Sequence, residues 1–594
     1  MDQLVQLQQR LDTLAAAFER LERRVNDLEA AHEVSDASRV TAPTVTHVTD
    51  ARDEMETRSL LDLGLIGRTL IILGGAFLLR AFTDSGGVPL PIGLSLGITY
   101  ALIWIFMADR AGRADRVSSS DYYGIAAAMI AYPLIWEATK KFDFFSPISA
   151  AIILAAVSGL LLGIGWIREQ KVLAWVATIF ALLTSLALIV DTRSVVPFGW
   201  ALLVVGLISA WIAYDIRWHA LRWPVAAVID MLLINLGFLV VAGFVGQAPV
   251  AAMILQISTM FGFIGTFTVR ALWRERAITA FEIMQSSVAW LAGFGGALWI
   301  SNVLHVGQLP VAVVGVVLAL TAYIIGYRIV DRTRLLHNTF YFTILGLAFT
   351  VPSTAVLMGT TPASILWAAI ALVTGILAIR YQRVELVAQT VGYLFAAALG
   401  SGLLTFGALG LFGSSNSVGA GQLGLSGLLA MVIAAICAVS HLPRLVPESR
   451  RTHFPRALAL AIAVWGIGGL VTTGLMTVVG GPSGATPAGV SATQTVVLCI
   501  AAVVLAWVSR IERLRAASTL VPLLLIVIAL KLVVQDLHAG RPATLFIGFA
   551  FYGAALIIAP RLRVKREREE EAPPEAGVVE EAATRDEPKI ALPR

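Results

Sequence analysis

Between Leu60 and Pro560 the chain is a series of roughly eighteen apolar runs, each long enough to cross a hydrocarbon core of about 30 Å, and its basic residues fall on every second connection between them. The even-numbered connections hold 22 Lys and Arg, from Arg110, Arg113 and Arg116 through to Arg510, Arg513 and Arg515. The odd-numbered connections hold 5: Arg80, Lys140, Lys141, Arg193 and Arg541. Arg561, Arg563, Lys565, Arg566 and Arg568 follow the last run. Basic residues are retained on the cytoplasmic side of a membrane. The alternation therefore predicts an all-α, polytopic transmembrane bundle of about eighteen helices, with both termini and every even connection cytoplasmic. A missed or spurious helix would reverse the pattern downstream of itself, and the pattern never reverses.

Composition narrows the class further. The chain is 57% hydrophobic and 14% charged, well below the quarter or so that is usual for soluble domains. The sequence pI of about 9.3 does not point to nucleic acid, because the basic residues sit beside apolar runs, where topology accounts for them. Cys437 and Cys499 both lie inside apolar runs and build neither a disulfide framework nor a metal site by themselves. No cleavable signal peptide is expected, since the first thirty residues read as a charged helix.

That N-terminal segment carries a heptad. Leu4, Leu7, Leu11, Leu14, Phe18, Leu21, Val25 and Leu28 alternate spacings of three and four, which puts them on one seam of a helix. Residues 1–31 are therefore expected to self-associate or to meet a partner helix through residues 4–28; an amphipathic helix lying on the membrane is the other reading. Residues 32–58 read as a polar cytoplasmic linker, 59–563 as the polytopic domain, and 564–594 as a disordered acidic cytoplasmic tail containing Glu569, Glu570, Glu571, Pro573 and Pro574. Pro89, Pro147, Pro197, Pro249, Pro310, Pro362, Pro487 and Pro542 fall at or near the start of the helix after an odd connection, where a missing N–H costs nothing. Their spacing of mostly 50–61 residues suggests a helical-hairpin repeat, although any pair of short-looped membrane helices has a similar length.

The first apolar run reads Gly67-Arg68-Thr69-Leu70-Ile71-Ile72-Leu73-Gly74-Gly75-Ala76-Phe77-Leu78-Leu79-Arg80-Ala81-Phe82-Thr83-Asp84. Preceded by the heptad and linker, it resembles the opening of a bacterial family of membrane proteins, domain-of-unknown-function family 2339. Leu530-Lys531-Leu532 and Gln535-Asp536-Leu537 are similar to that family's closing pattern. Between the two ends the likeness is one of hydropathy alone. The resemblance implies a multi-pass protein of the bacterial inner membrane and carries no catalytic residues over.

Charges inside apolar runs are the remaining functional clue, because each costs about 2.5–3.5 kcal/mol at a helix centre. Asp230 and Arg68 lie at similar depths from the basic side. They are placed to pair; alternatively Arg68 snorkels to the surface and Asp230 bonds with nearby Asn235. Glu282 lies within about a turn of the interface and is expected to stay solvated. At the other face, Arg80 and Asp84 close the first run and Lys531 and Asp536 close the penultimate one. If the ends of the array meet, these four form one outer site, with Lys531 reaching Asp84; otherwise they are interfacial anchors. Gly93 and Gly97, and Gly159 and Gly163, have the GxxxG spacing of close helix packing.

No P-loop, HExxH, GxSxG or paired CxxC is present, and neither cofactor nor metal is implied. The expected function is a non-enzymatic inner-membrane protein, transporter-like or lipid-handling, with membrane lipid as a partner. A membrane-embedded transferase acting on a lipid-linked substrate at the outer face and a scaffold for envelope machinery are the alternatives. A midplane cavity lined by Asp230 would favour transport. An outer groove at Asp84 and Asp536 would favour the transferase. The absence of any cavity would favour the scaffold.

Overall fold

A computed structural model of the chain describes residue 67 and residues 69–571, apart from 82, 84, 86, 245–247, 275–276, 331–335, 415–422, 441, 443–453, 480–485, 512–513 and 540. The heptad at 4–28, the linker at 32–58 and the tail from 572 onward lie outside the described residues, as do Arg68 and Asp84. The described residues form helices and their connections, with no strand.

Fourteen of these helices are long and apolar enough to cross a membrane, the architecture of a multi-pass integral membrane protein. A helix overlaps each of the other four expected runs, but none of these four stands among the fourteen. Thr69–Ala81 and Leu425–Val439 are short, and at 1.5 Å per residue they span roughly 20 Å each. Val117–Lys140 is long enough but carries Asp121 and Glu137 within it. The run expected as one helix over 386–406 is two, Val384–Gly400 and Leu403–Phe412, bent by 64°. Gly402, at φ +75°, adopts the left-handed conformation that such a break requires. The final helix, Pro542–Glu571, continues past the boundary expected at 563.

The eight marked prolines sit where their chemistry suits them. Pro147, Pro249, Pro487 and Pro542 open their helices, Pro89 caps one, and Pro197, Pro310 and Pro362 fall in a first turn. All are positions that have no intrahelical acceptor for an N–H.

The chain divides into two compact units, Met1–Phe144 with Ala156–Phe180, and Phe145–Ala155 with Ala181–Arg594. In the first, Leu90–Arg113 packs on Val117–Lys140 through small residues: Ala101, Ala108, Ala126, Ala127, Ala131 and Ala138 are almost wholly buried. Without a hydrophobic force between helices in lipid, such small side chains permit close van der Waals contact. A Cβ on Gly97 would strike Leu134 and one on Gly93 would strike Thr83, so that GxxxG pair is used for packing. Gly163, by contrast, faces open space. Tyr132 closes the core of this unit, sharing a hydrogen bond of 3.0 Å with the Ser158 hydroxyl and donating to the Ala177 carbonyl at 3.1 Å.

In the second unit a close backbone approach joins Leu403–Phe412 to Phe454–Val479. A Cβ on Gly410 would lie 2.9 Å from the Gly469 Cα, and one on Gly469 would lie 2.9 Å from the Gly407 Cα. Outward faces in both units carry large apolar side chains, such as Ile71, Phe77, Val190 and Leu291, as expected where lipid is the solvent.

Candidate functional site

Among the described residues several polar constellations interrupt the apolar interior, including a hydroxyl and amide network of Tyr323, Gln389 and Tyr393. The most enclosed is at the end of the penultimate helix. Lys531 and Asp536 are 3% and 5% exposed, and they are five residues apart. In an α-helix that spacing turns two side chains roughly 140° from each other at 100° per residue. Here Leu532–Asp536 is a π turn, whose i→i+5 register brings both to one side. The Lys531 Nζ lies 2.7 Å from the Asp536 Oδ1 and donates also to the Thr495 hydroxyl at 2.9 Å and the Ser491 carbonyl at 3.1 Å. The Thr495 hydroxyl donates to the Asp536 Oδ2 at 2.6 Å, and Ser491 donates to its Oδ1. Lys531 thus has its charge partner on its own helix. Beside this group, Gln494 donates to the carbonyls of Gly410 and Gly413, and Gln535 donates to that of Phe412. These amides satisfy the carbonyl end of the broken helix, which has no water to turn to in a bilayer.

Arg80 pairs with Glu137 at 2.7 Å. Glu137 lies inside the expected run 121–139, and it is the intramembrane acid that sequence reasoning passed over. Arg80 and Lys531 thus each have an acidic partner within their own unit, Glu137 and Asp536.

A third constellation is a polar stripe along the first turns of Ala280–Leu304. Glu282 is 1% exposed and pairs with Arg270, which corrects the expectation of a solvated interfacial acid. Its Oε2 also accepts from the Thr279 N–H at 2.6 Å, closing a capping box. The capping signature Thr279-x-x-Glu282 was legible, but the buried arginine was not. Gln285 donates to the Asp230 Oδ1 at 3.0 Å, and the Tyr341 hydroxyl bonds the Ser286 hydroxyl at 2.6 Å. Asn235 donates instead to the Met231 carbonyl at 2.8 Å, so the bond expected between Asp230 and Asn235 is replaced by the one from Gln285. Arg222 stacks over the Phe281 ring at 3.9 Å and Arg270 over the Tyr214 ring at 4.4 Å. In the adjoining connection, partial burial, then Arg222, Arg270 and Arg217, hold the His219 pKa below its ordinary value.

The fourth is the largest cavity described, a groove of about 980 Å³ between Ala280–Leu304, Leu336–Met358 and the start of Val384–Gly400. One end is polar: His337, Gln382, Arg383 and Glu385 line it. Gln382, in a left-handed conformation at φ 51°, and Arg383 make the tight turn that ends one helix and begins the next. The rest of the wall is mainly apolar, with Ile283, Leu291, Phe340, Ile344, Leu345 and Ala348, interrupted by the hydroxyls of Ser286, Ser287 and Tyr341. From Ile283 to Leu291, and from Phe340 to Ala348, is eight residues, or roughly 12 Å of helix. That is most of half a hydrocarbon core of about 30 Å. On this wall Trp290 begins a second π turn, Trp290–Gly295, and its buried Nε1–H has no acceptor among the described residues. A buried indole N–H normally finds one. Asp230 does not line the groove.

No sequence signal found this groove, because its wall residues are ordinary members of apolar runs. Glu385, at the edge of the expected helix 386–406, was the one available hint. Among the described residues no group of three or more His, Cys, Asp or Glu is placed to hold a metal ion. Comparison with family models, with curated proteins and with solved structures finds no match.

Proposed function

We propose that this chain is a lipid-handling protein of the bacterial inner membrane that holds a single amphiphile in the groove lined by Trp290, Tyr341 and Arg383. The observation that carries the reading is the groove's polarity profile: charged and amide side chains at one end, then roughly 12 Å of mainly apolar wall. A molecule with a polar head and an acyl chain is complementary to it, whereas a small polar solute would desolvate against the wall. The polar end lies beside the connections rich in Lys and Arg, so the basic asymmetry supports a cytoplasmic opening. The same asymmetry supports eighteen crossings with both termini inside, the bent pair counting as one crossing.

The transporter reading draws less support, because Asp230 is bonded to Gln285 and stands apart from the groove. A transferase acting through Asp536 is disfavoured by its bonds to Lys531, Ser491 and Thr495, which occupy the carboxylate. A photoreactive acyl-chain phospholipid in reconstituted membranes tests the proposal. Crosslinks should concentrate at Leu345 and Ala348 relative to outward-facing Val313 and Val317, and Ala348→Trp should abolish that excess at Leu345. Unchanged labelling in Ala348→Trp would reject a groove-bound amphiphile.

A further inference from the structure

The head end of the groove carries opposite charges close together in sequence and on one wall. Arg383 is the last residue before the helix Val384–Gly400, and Glu385 is the second residue within it. Both line the groove, together with His337 from the neighbouring helix. Glu385 is 6% exposed, so its carboxylate faces protein and groove rather than open solvent. A helix N-terminus favours an acid at that position, which accounts for a carboxylate there but not for its turning toward a cavity with a guanidinium and an imidazole.

Resting on the reading of the groove as an amphiphile site, we infer that it selects a glycerophospholipid with a primary-amine headgroup. The phosphodiester lies toward Arg383 and His337, and the ammonium donates to Glu385. A guanidinium is suited to phosphate, and an ammonium–carboxylate bond is a charge-assisted one. A choline headgroup has no N–H to donate to the carboxylate. A headgroup carrying only negative charge sets that charge against Glu385. The volume of about 980 Å³ lies at the upper end of single-ligand pockets, about 300–1,000 Å³, which suits one lipid rather than a cluster.

The test is competition on the purified full chain. The protein is equilibrated with equal amounts of phosphatidylethanolamine, phosphatidylcholine and phosphatidylglycerol of identical acyl chains, and bound lipid is counted by native mass spectrometry. Groove-bound lipid is the part lost in Ala348→Trp. In the wild type that part should be enriched in phosphatidylethanolamine by about tenfold over each competitor, the effect of one charge-assisted bond. Glu385→Gln should bring the ratio of ethanolamine to choline lipid close to one while total groove-bound lipid is kept. Equal retention of the three lipids by the wild type, enrichment of phosphatidylglycerol, or an unchanged ratio in Glu385→Gln overturns the headgroup assignment and leaves the amphiphile reading standing. Loss of no lipid at all in Ala348→Trp overturns that underlying reading. Should Glu385→Gln fail to fold, the wild-type competition decides the question alone.

Discussion

Lys531 and Asp536 illustrate what a buried charge requires in a bilayer. Each is almost fully enclosed, and between them Ser491 and Thr495 supply hydroxyls that bind the carboxylate. Desolvating two ions is repaid only where geometry and hydrogen bonds are complete. Removing one partner should therefore be worse than removing both. Asp536→Asn leaves the Lys531 ammonium without a counter-charge and should cost about 3–5 kcal/mol. Lys531→Met combined with Asp536→Asn should recover a large part of that loss. Thermal unfolding of the four proteins in detergent measures the cycle, and strictly additive losses would mean that the two residues do not act as a pair. The same logic applies to Arg270 and Glu282, where Glu282→Gln leaves a stacked guanidinium beside Tyr214. At this scale the sequence located the charges but not their partners. Ser491 lies 40 residues from Lys531, and Arg270 lies 12 from Glu282 across a turn. Hydropathy and spacing carry no record of which helix faces which.

At the scale of elements, the closest contact between Leu403–Phe412 and Phe454–Val479 depends on glycine. Gly407 and Gly410 meet Gly469 backbone to backbone. Gly410→Ala should therefore destabilise the second unit by about 1–3 kcal/mol, the usual cost of overpacking. Gly474→Ala, which has nothing within 4 Å of its added methyl group, should be neutral or slightly stabilising because alanine favours helix. If the two substitutions shift the unfolding midpoint alike, the close contact is not a source of stability. The N-terminal heptad makes a separate element-level prediction. A peptide of residues 1–31 should associate in sedimentation equilibrium, and Leu11→Glu with Leu14→Glu and Phe18→Glu should abolish the association by placing charge in the seam. A wild-type peptide that stays monomeric at high micromolar concentration would require a different partner for residues 4–28.

At the scale of the whole molecule, the basic asymmetry predicts which connections face which side. Reporter tags at Gly86, Gly307, Ser415 and Ser483 should report the outer side, and tags at Gly112, Trp273 and Glu448 the cytoplasm. The bent pair makes one comparison decisive. If Val384–Gly400 and Leu403–Phe412 together cross the membrane, tags at Gln382 and Ser415 fall on opposite sides. If the pair turns back on itself, they fall on the same side, and the assignment of every later connection reverses.

The sequence by itself determined the class of the protein, a multi-pass array of apolar helices, and the position of most of its apolar segments. Those properties are local: a run of about twenty apolar residues forms a helix in lipid whatever surrounds it, because its backbone groups have no other partners there. Only the tertiary structure decided that Lys531 pairs with Asp536, that Glu282 is buried on Arg270, and that an amphipathic groove opens beside Trp290. A π turn rotates Lys531 and Asp536 to one face, and Gly402 breaks the helix after Gly400. Neither feature changes the hydropathy of the run that contains it. A groove is the space three helices leave between them, so it is set by how they pack and not by the residues of any one of them.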